Sequence, residues 1–329
     1  MLGIDFKVVS AIFRKDMRMY LGNPTGYVFI TLFIAAAGAA AFLQEEFFSR
    51  NLADLATLNG MMPAILMFFV PAMTMNAWAD ERRAGTDELL LTLPLRDGEV
   101  VLGKYLGVLG MFTLSLFLTA MAQLSVLWFL GDPDKGLMFT TFSGYWLMGA
   151  LFAAIGLLAS MLTMNTTVAF ILGGLGCAGL VFAGTLPWAS AILGIAIIGL
   201  FAALGWTVVV GRPAGAGWAG LVGGAVGGLL WQSSNLFADG PKAADAGAEG
   251  ADKAADAAAT TTEAAGDAVA EPAMDLGRWF EDTFGALSVN DHFLSFGEGV
   301  IRLGDLLYFI GGISVMLYLC AFLLGRRHW

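Results

Sequence analysis

Long apolar runs separated by short polar breaks set the pattern of this chain. The runs cover Tyr27–Leu43, about Met61–Trp78, Val100–Leu130, about Tyr145–Leu162, Thr167–Leu186, Trp188–Val210, Ala214–Trp231 and about Leu306–Leu324. A helix rising 1.5 Å per residue needs about 20 apolar residues to cross a bilayer, so this pattern predicts about eight spans. The third run exceeds that length and predicts a tilted span or one that begins outside the lipid. Residues 4–21 read differently. At 100° per residue, Phe6, Val9, Phe13, Met17 and Tyr20 share one face and Lys7, Arg14, Lys15 and Arg18 another, which predicts a helix lying along the membrane surface. Asn23-Pro24 ends it.

Composition agrees with the pattern. The chain has 329 residues, 58% of them apolar and only 13% charged, too apolar for a soluble domain. Cys177 and Cys320 both fall inside apolar runs, so they read as small buried hydrophobes rather than a disulfide framework. With the N-terminus in the cytosol, 11 of the 17 Lys and Arg fall on the inner side, as the positive-inside rule expects. Both termini are then cytoplasmic and most acids lie outside. Glycines recur four apart at Gly220, Gly224 and Gly228. Such a face lets another helix approach closely, with a flexible hinge as the alternative. Ala238–Ala273 is Ala-rich and acidic with almost no large apolar residue, which predicts a disordered linker. Aromatic residues return among acids over 274–304 and predict short amphipathic helices on the outer surface.

The division expected from these features is a surface helix over 1–26, five spans over 27–186, two more over 187–237, the linker 238–273, the outer helices 274–304, and a last span with its tail over 305–329. The fold class is all-α, a polytopic membrane helix bundle.

One stretch looks made for water and a partner. Between Asp80 and Glu99 lie nine charged residues of mixed sign. Gly85 permits a turn, Thr86 with Asp87 and Glu88 favours a helix start, and Pro94 ends the short apolar-sided helix that follows. The mixed charges predict partners on another protein for Glu81, Arg82 and Glu88.

The spans contain no ionisable residue at mid-depth, which weighs against an ion-coupled carrier. No HExxH, Cys/His cluster or paired intramembrane acids occur, so no catalytic group and no metal site are assigned. Gly98 to Tyr105 fits a phosphate-cradling loop up to its last position, where Tyr105 stands in place of the Ser or Thr that would hold magnesium; no strand precedes it.

Several pieces in order resemble a known family. They are Phe13-Arg14-Lys15 and Asn23-Pro24; Glu81-Arg82-Arg83, Gly85-Thr86, Glu88-Leu89-Leu90, Pro94 and Val101-Leu102-Gly103-Lys104; then His292-Phe293, Gly299-Val300-Ile301, Leu303, Asp305-Leu306, Tyr308-Phe309 and the closing Arg326-Arg327-His328-Trp329. This series resembles the permease subunits of type-2 ABC transporters, in particular the gliding-motility-associated and nitrous-oxide-accessory-like branch. The resemblance implies a six-span core in the bacterial inner membrane, so the segment Trp188–Ala273 is an insertion that adds two spans. It implies export, dimerisation with an identical or a second permease, and a separate ABC ATPase subunit that holds the ATP and magnesium, with no cofactor and no nucleic acid on this chain. The contact with the ATPase would be a coupling helix formed by Glu81, Arg82, Arg83, Gly85, Thr86 and Glu88. Residues 4–21 would be the family's connecting elbow, with Lys7, Phe13, Arg14, Lys15 and Arg18 at the lipid surface. The alternative is a non-transporting membrane anchor or force-transmitting part of an ATPase-driven motility or secretion complex.

Overall fold

A computed structural model describes residues 5–43, 55–85, 95–131, 133–210, 216–238 and 283–326. Among these residues all regular structure longer than a turn is helical. The helices are α1 (Phe6–Gly22), α2 (Pro24–Phe42), α3 (Ala56–Thr74), α4 (Asn76–Arg83), α5 (Asp97–Leu130), α6 (Lys135–Leu162), α7 (Thr166–Phe182), α8 (Pro187–Val210), α9 (Ala216–Ala238), α10 (Val289–Gly297) and α11 (Leu303–Gly325). The chain divides into two compact units, one of residues 1–184 with 288–329 and one of residues 185–287.

Local chemistry sets the ends. The Asp5 side chain accepts the Lys7 N–H at 2.9 Å and opens α1. Asn23 closes α1 and opens α2, accepting the Thr25 N–H, with Pro24 at the first helical position where its missing N–H costs nothing. Asp134 accepts from Gly136 and Leu137 at the start of α6, and Asn165 from Thr167 at the start of α7.

In the first unit, five segments among the described residues are long and apolar enough to cross a membrane: Pro24–Phe42, Ala56–Arg83, Asp97–Leu130, Lys135–Leu162 and Leu303–Gly325. Helix α7, expected to reach Leu186, ends at Phe182 and has 17 residues. The second expected span is broken at Met75 into α3 and α4, and the fourth begins ten residues early because Asp134 caps it.

Helix α6 is the centre of this unit. Every residue from Met148 to Met161 is buried, and α3, α5, α7, α10 and α11 all pack on it. Glycines make that possible: Gly149 faces the Phe112 ring of α5, and Gly156 faces Thr74 of α3. Helix α10, expected to be amphipathic, turns Phe293 and Phe296 onto Gly144 of α6, where both rings are buried, and leaves Leu294 exposed. Phe293 also stacks on Tyr145, so the bundle covers the aromatic side of this helix.

In the second unit α8 and α9 pack together. Gly220 lies 3.4 Å from Ala203, while Gly224 and Gly228 lie 3.6 and 3.9 Å from Ile195, measured from an added Cβ. The tighter contacts come from Gly223, 2.4 Å from Ala202, and Gly227, 3.3 Å from Ile195. The linker expected at 238–273 lies, past Ala238, outside the described residues.

Candidate functional site

At one end of the first unit, α1, α4, α5 and α6 meet beneath the segment expected to contact a partner. The break between α3 and α4 is the starting point. Pro71 has no N–H to give the Met67 carbonyl, and α3 ends at Thr74, although Met75 keeps helical dihedrals and still donates to the Pro71 carbonyl at 2.9 Å. Polar side chains from three other helices satisfy the backbone groups around the break. Ser160 of α6 accepts the N–H groups of Trp78 and Ala79 at 3.0 and 3.1 Å and donates to the Met75 carbonyl at 2.8 Å. Tyr20 of α1 donates to the Met73 carbonyl at 3.2 Å, and Lys104 of α5 donates to the Ala77 carbonyl at 2.7 Å. Ser160 thus serves α4 as a cap supplied from another helix.

Lys104 is 2% exposed, yet it is a cation in a largely apolar helix. Its ammonium sits 2.7 Å from Glu81 Oε2 and 4.8 Å from the centre of the buried Trp78 ring. Glu81 also accepts from Lys15 of α1 at 2.9 Å. One carboxylate therefore ties α4 to both α5 and α1. Arg82 turns to α6, where its guanidinium donates to the carbonyls of Met161 and Thr163. A cation at those last carbonyls suits the negative end of the helix.

These contacts give Glu81 and Arg82 partners that the sequence did not reveal. Both were expected to have their partners on another protein, and both are engaged within the chain. In the last turn of α4, Glu81 and Arg82 face α1, α5 and α6, while Asp80 and Arg83 are exposed. Arg83 is exposed and has no partner among the described residues. Gly85 follows with φ +68°, a conformation that a side chain disfavours, and no atom lies within 4 Å of an added Cβ. Thr86 and Glu88, with the short helix expected there, lie outside the described residues. On the far side of that segment, Glu99 accepts the Arg96 N–H at 3.3 Å and the Asp5 N–H at 2.9 Å. The two helices that flank residues 86–94 are therefore both tied to the start or body of α1, α4 through Glu81 and α5 through Glu99.

Helix α1 is held by more than charge. Ile12, Asp16 and the pair Phe13 and Met17 seat against Gly103, Gly107 and Gly110 of α5, with Ile12 2.7 Å from an added Gly103 Cβ. The Gly103-Lys104 pair that mimicked a phosphate loop thus has two structural tasks, a close helix contact and a buried ion pair. Asp16 is 4% exposed, and its Oδ1 has no hydrogen-bond partner. Burial raises its carboxyl above the usual range, with the charges of Lys104 and Lys15 acting against that and Glu81 adding to it. Burial pulls the Lys15 amine down, but the hydrogen bond and charge of Glu81, with the charge of Asp16, bring it above its ordinary value.

Sequence reasoning missed Asp16, Ser160 and the inward role of Lys104. One signal was available: a single cation inside an over-long apolar run implies a buried partner. Of the residues expected at the lipid surface, Lys15 is recruited into the junction, while Lys7, Arg14 and Arg18 are exposed and Phe13 is half-buried.

A second polar cluster lies at the other end. His292 Nδ1 is 2.8 Å from Asp305 Oδ1, the His292 ring stacks on Tyr308, and Ser295 donates to Asp305 Oδ2. The serine binds the carboxylate rather than the imidazole, so this is not a nucleophile–base arrangement; it fastens α10 to the start of α11. Among the described residues no three His, Cys, Asp or Glu gather as a metal ion would need.

Residues 12–210 match the family model described as ABC-2 family transporter protein, a range that takes in α8. Over 161 residues the chain is 29% identical to the probable ABC transporter permease protein NosY of Pseudomonas aeruginosa, an overlap of 45% of this chain. The match spans 58% of the length of that relative.

Proposed function

This chain belongs to the ABC-2 family of transporter proteins, and we propose from that premise that it is the permease subunit of an ATP-driven exporter. It works as a dimer, with an identical or a second permease, on a separate ATPase subunit that holds the ATP and magnesium. It sits in the bacterial inner membrane with both termini in the cytoplasm. The docking element is the segment from Arg83 to Pro94, with Gly85, Thr86 and Glu88 at its start.

The observation that supports this reading is the double anchoring of the helices on either side of that segment. Glu81 ties α4 to α1, Glu99 ties α5 to the start of α1, and Glu81 also reaches Lys104 on α5. A push reaching α4 or α5 from that segment is then shared with α1 through these contacts. Arg83 supports it further as an exposed cation at the edge of the segment, able to form two parallel bonds to a carboxylate.

The test is co-purification with the cognate ATPase subunit, with hydrolysis rates in lipid vesicles. Arg83→Glu and Glu88→Lys should each weaken retention of the ATPase, since an interface charge that loses its desolvated partner costs about 2–5 kcal/mol. Gly85→Val should act the same way through backbone strain at positive φ, about 1–3 kcal/mol. Wild-type retention and stimulation in all three variants would place the contact elsewhere.

A further inference from the structure

We propose that α1 carries a binding site for one anionic phospholipid, its headgroup phosphate held between Arg14 and Arg18 and an acyl chain laid along Phe13, Met17 and Leu21. This goes beyond the transporter assignment and does not depend on it. The packing against α5 fixes the rotation of α1: Val9, Ile12 and Asp16 are buried. Bordering that packed face, Phe13 and Met17, which also touch Gly110 of α5, join Arg14, Arg18, Leu21 and Gly22 around a shallow concavity of about 470 Å³. Arg14 and Arg18 are exposed and neither pairs with any described residue, whereas the neighbouring Lys15 is engaged by Glu81. Four residues apart, the two guanidiniums lie on adjacent turns of one face, close enough to share a single phosphate.

The place in the chain fits the ligand. The concavity ends at Gly22, and two residues later α2 enters as a membrane span with Tyr27 and Val28 exposed. The site is therefore at the level where headgroups meet acyl chains. No acid borders it, so a zwitterionic headgroup would bring its cation against two arginines. Three apolar side chains border it as well, and a free phosphate would leave them wet, while an acyl chain covers them.

The experiment uses the full chain, purified in a neutral detergent and titrated separately with phosphatidylglycerol, phosphatidylcholine and inorganic phosphate. The readouts are lipid retained per chain by mass spectrometry and the shift in melting midpoint. Phosphatidylglycerol should be retained and should raise the midpoint; the other two should not. Arg14→Gln with Arg18→Gln should weaken phosphatidylglycerol binding about 30-fold. Arg14→Lys with Arg18→Lys keeps the charge and should lose only a few-fold. The wild-type protein in rising salt gives a test that needs no variant: release of the lipid supports the site, and salt-insensitive retention overturns it. Equal retention of phosphatidylcholine, equal protection by phosphate alone, or unchanged binding in the Gln pair overturns it too.

Discussion

Replacing Lys104 by methionine keeps the length and most of the volume of the side chain and removes its charge. In the native chain this ammonium satisfies the Ala77 carbonyl and Glu81 Oε2, each at 2.7 Å, and lies over the Trp78 ring. Breaking a buried pair by deleting one partner costs about 3–5 kcal/mol, because the other charge stays behind. Two observations reduce that figure. The Glu81 side chain is 19% exposed, and Lys15 still reaches it at 2.9 Å. The Ala77 carbonyl left without its donor adds about 1 kcal/mol or more. We therefore expect a loss of about 2–3 kcal/mol. Lys15→Gln should cost no more than about 1 kcal/mol, because that lysine side chain is 54% exposed and solvent screens the pair. Combining Lys104→Met with Glu81→Gln should recover much of the loss, since neither charge is then stranded. The assay is the melting midpoint of the purified chain in detergent for the four members of the double-mutant cycle. If Lys104→Met is no worse than Lys15→Gln, or if the two changes simply add, the buried pair does not hold the junction together.

Three further outcomes follow from the same geometry. Gly107→Ala places a Cβ 2.8 Å from the Asp16 Cβ and should cost about 1–3 kcal/mol by overpacking; faster tryptic cleavage within α1 would report it, and unchanged cleavage would refute it. Ser160→Ala removes the acceptor for two α4 N–H groups and should cost about 1–2 kcal/mol, with faster amide exchange at Trp78 and Ala79 as its local sign. Asp16 holds its proton more tightly folded than unfolded, so its contribution to stability is present below the ordinary value of 3.8 and is lost as pH rises through the raised one. Asp16→Asn should therefore melt higher than the native chain at pH 7, with the difference shrinking toward pH 4; a pH-independent difference would count against it.

The sequence by itself determined the features that depend on neighbours along the chain. The apolar runs were legible as helices, because a helix satisfies its backbone within a single segment in lipid, and five of the eight expected spans are long and apolar enough to cross among the described residues. Asn23-Pro24 marked the boundary between α1 and α2, and the charge-dense stretch after Asp80 stood out against its surroundings. Motifs spread in order along the chain carried the family. Tertiary structure alone decided which charges face inward. Lys15 and Glu81 are 66 positions apart, Arg82 and Met161 79, and Trp78 and Ser160 82. No local pattern distinguishes such a pairing from an exposed charge, so Glu81 and Arg82 looked free for a partner when they were already engaged. The glycines at 103, 107 and 110 likewise gained their meaning only when α1 was seated on them. Periodicity reports which residues share a face, but what covers that face depends on every other helix competing for it, and that competition is resolved only in three dimensions.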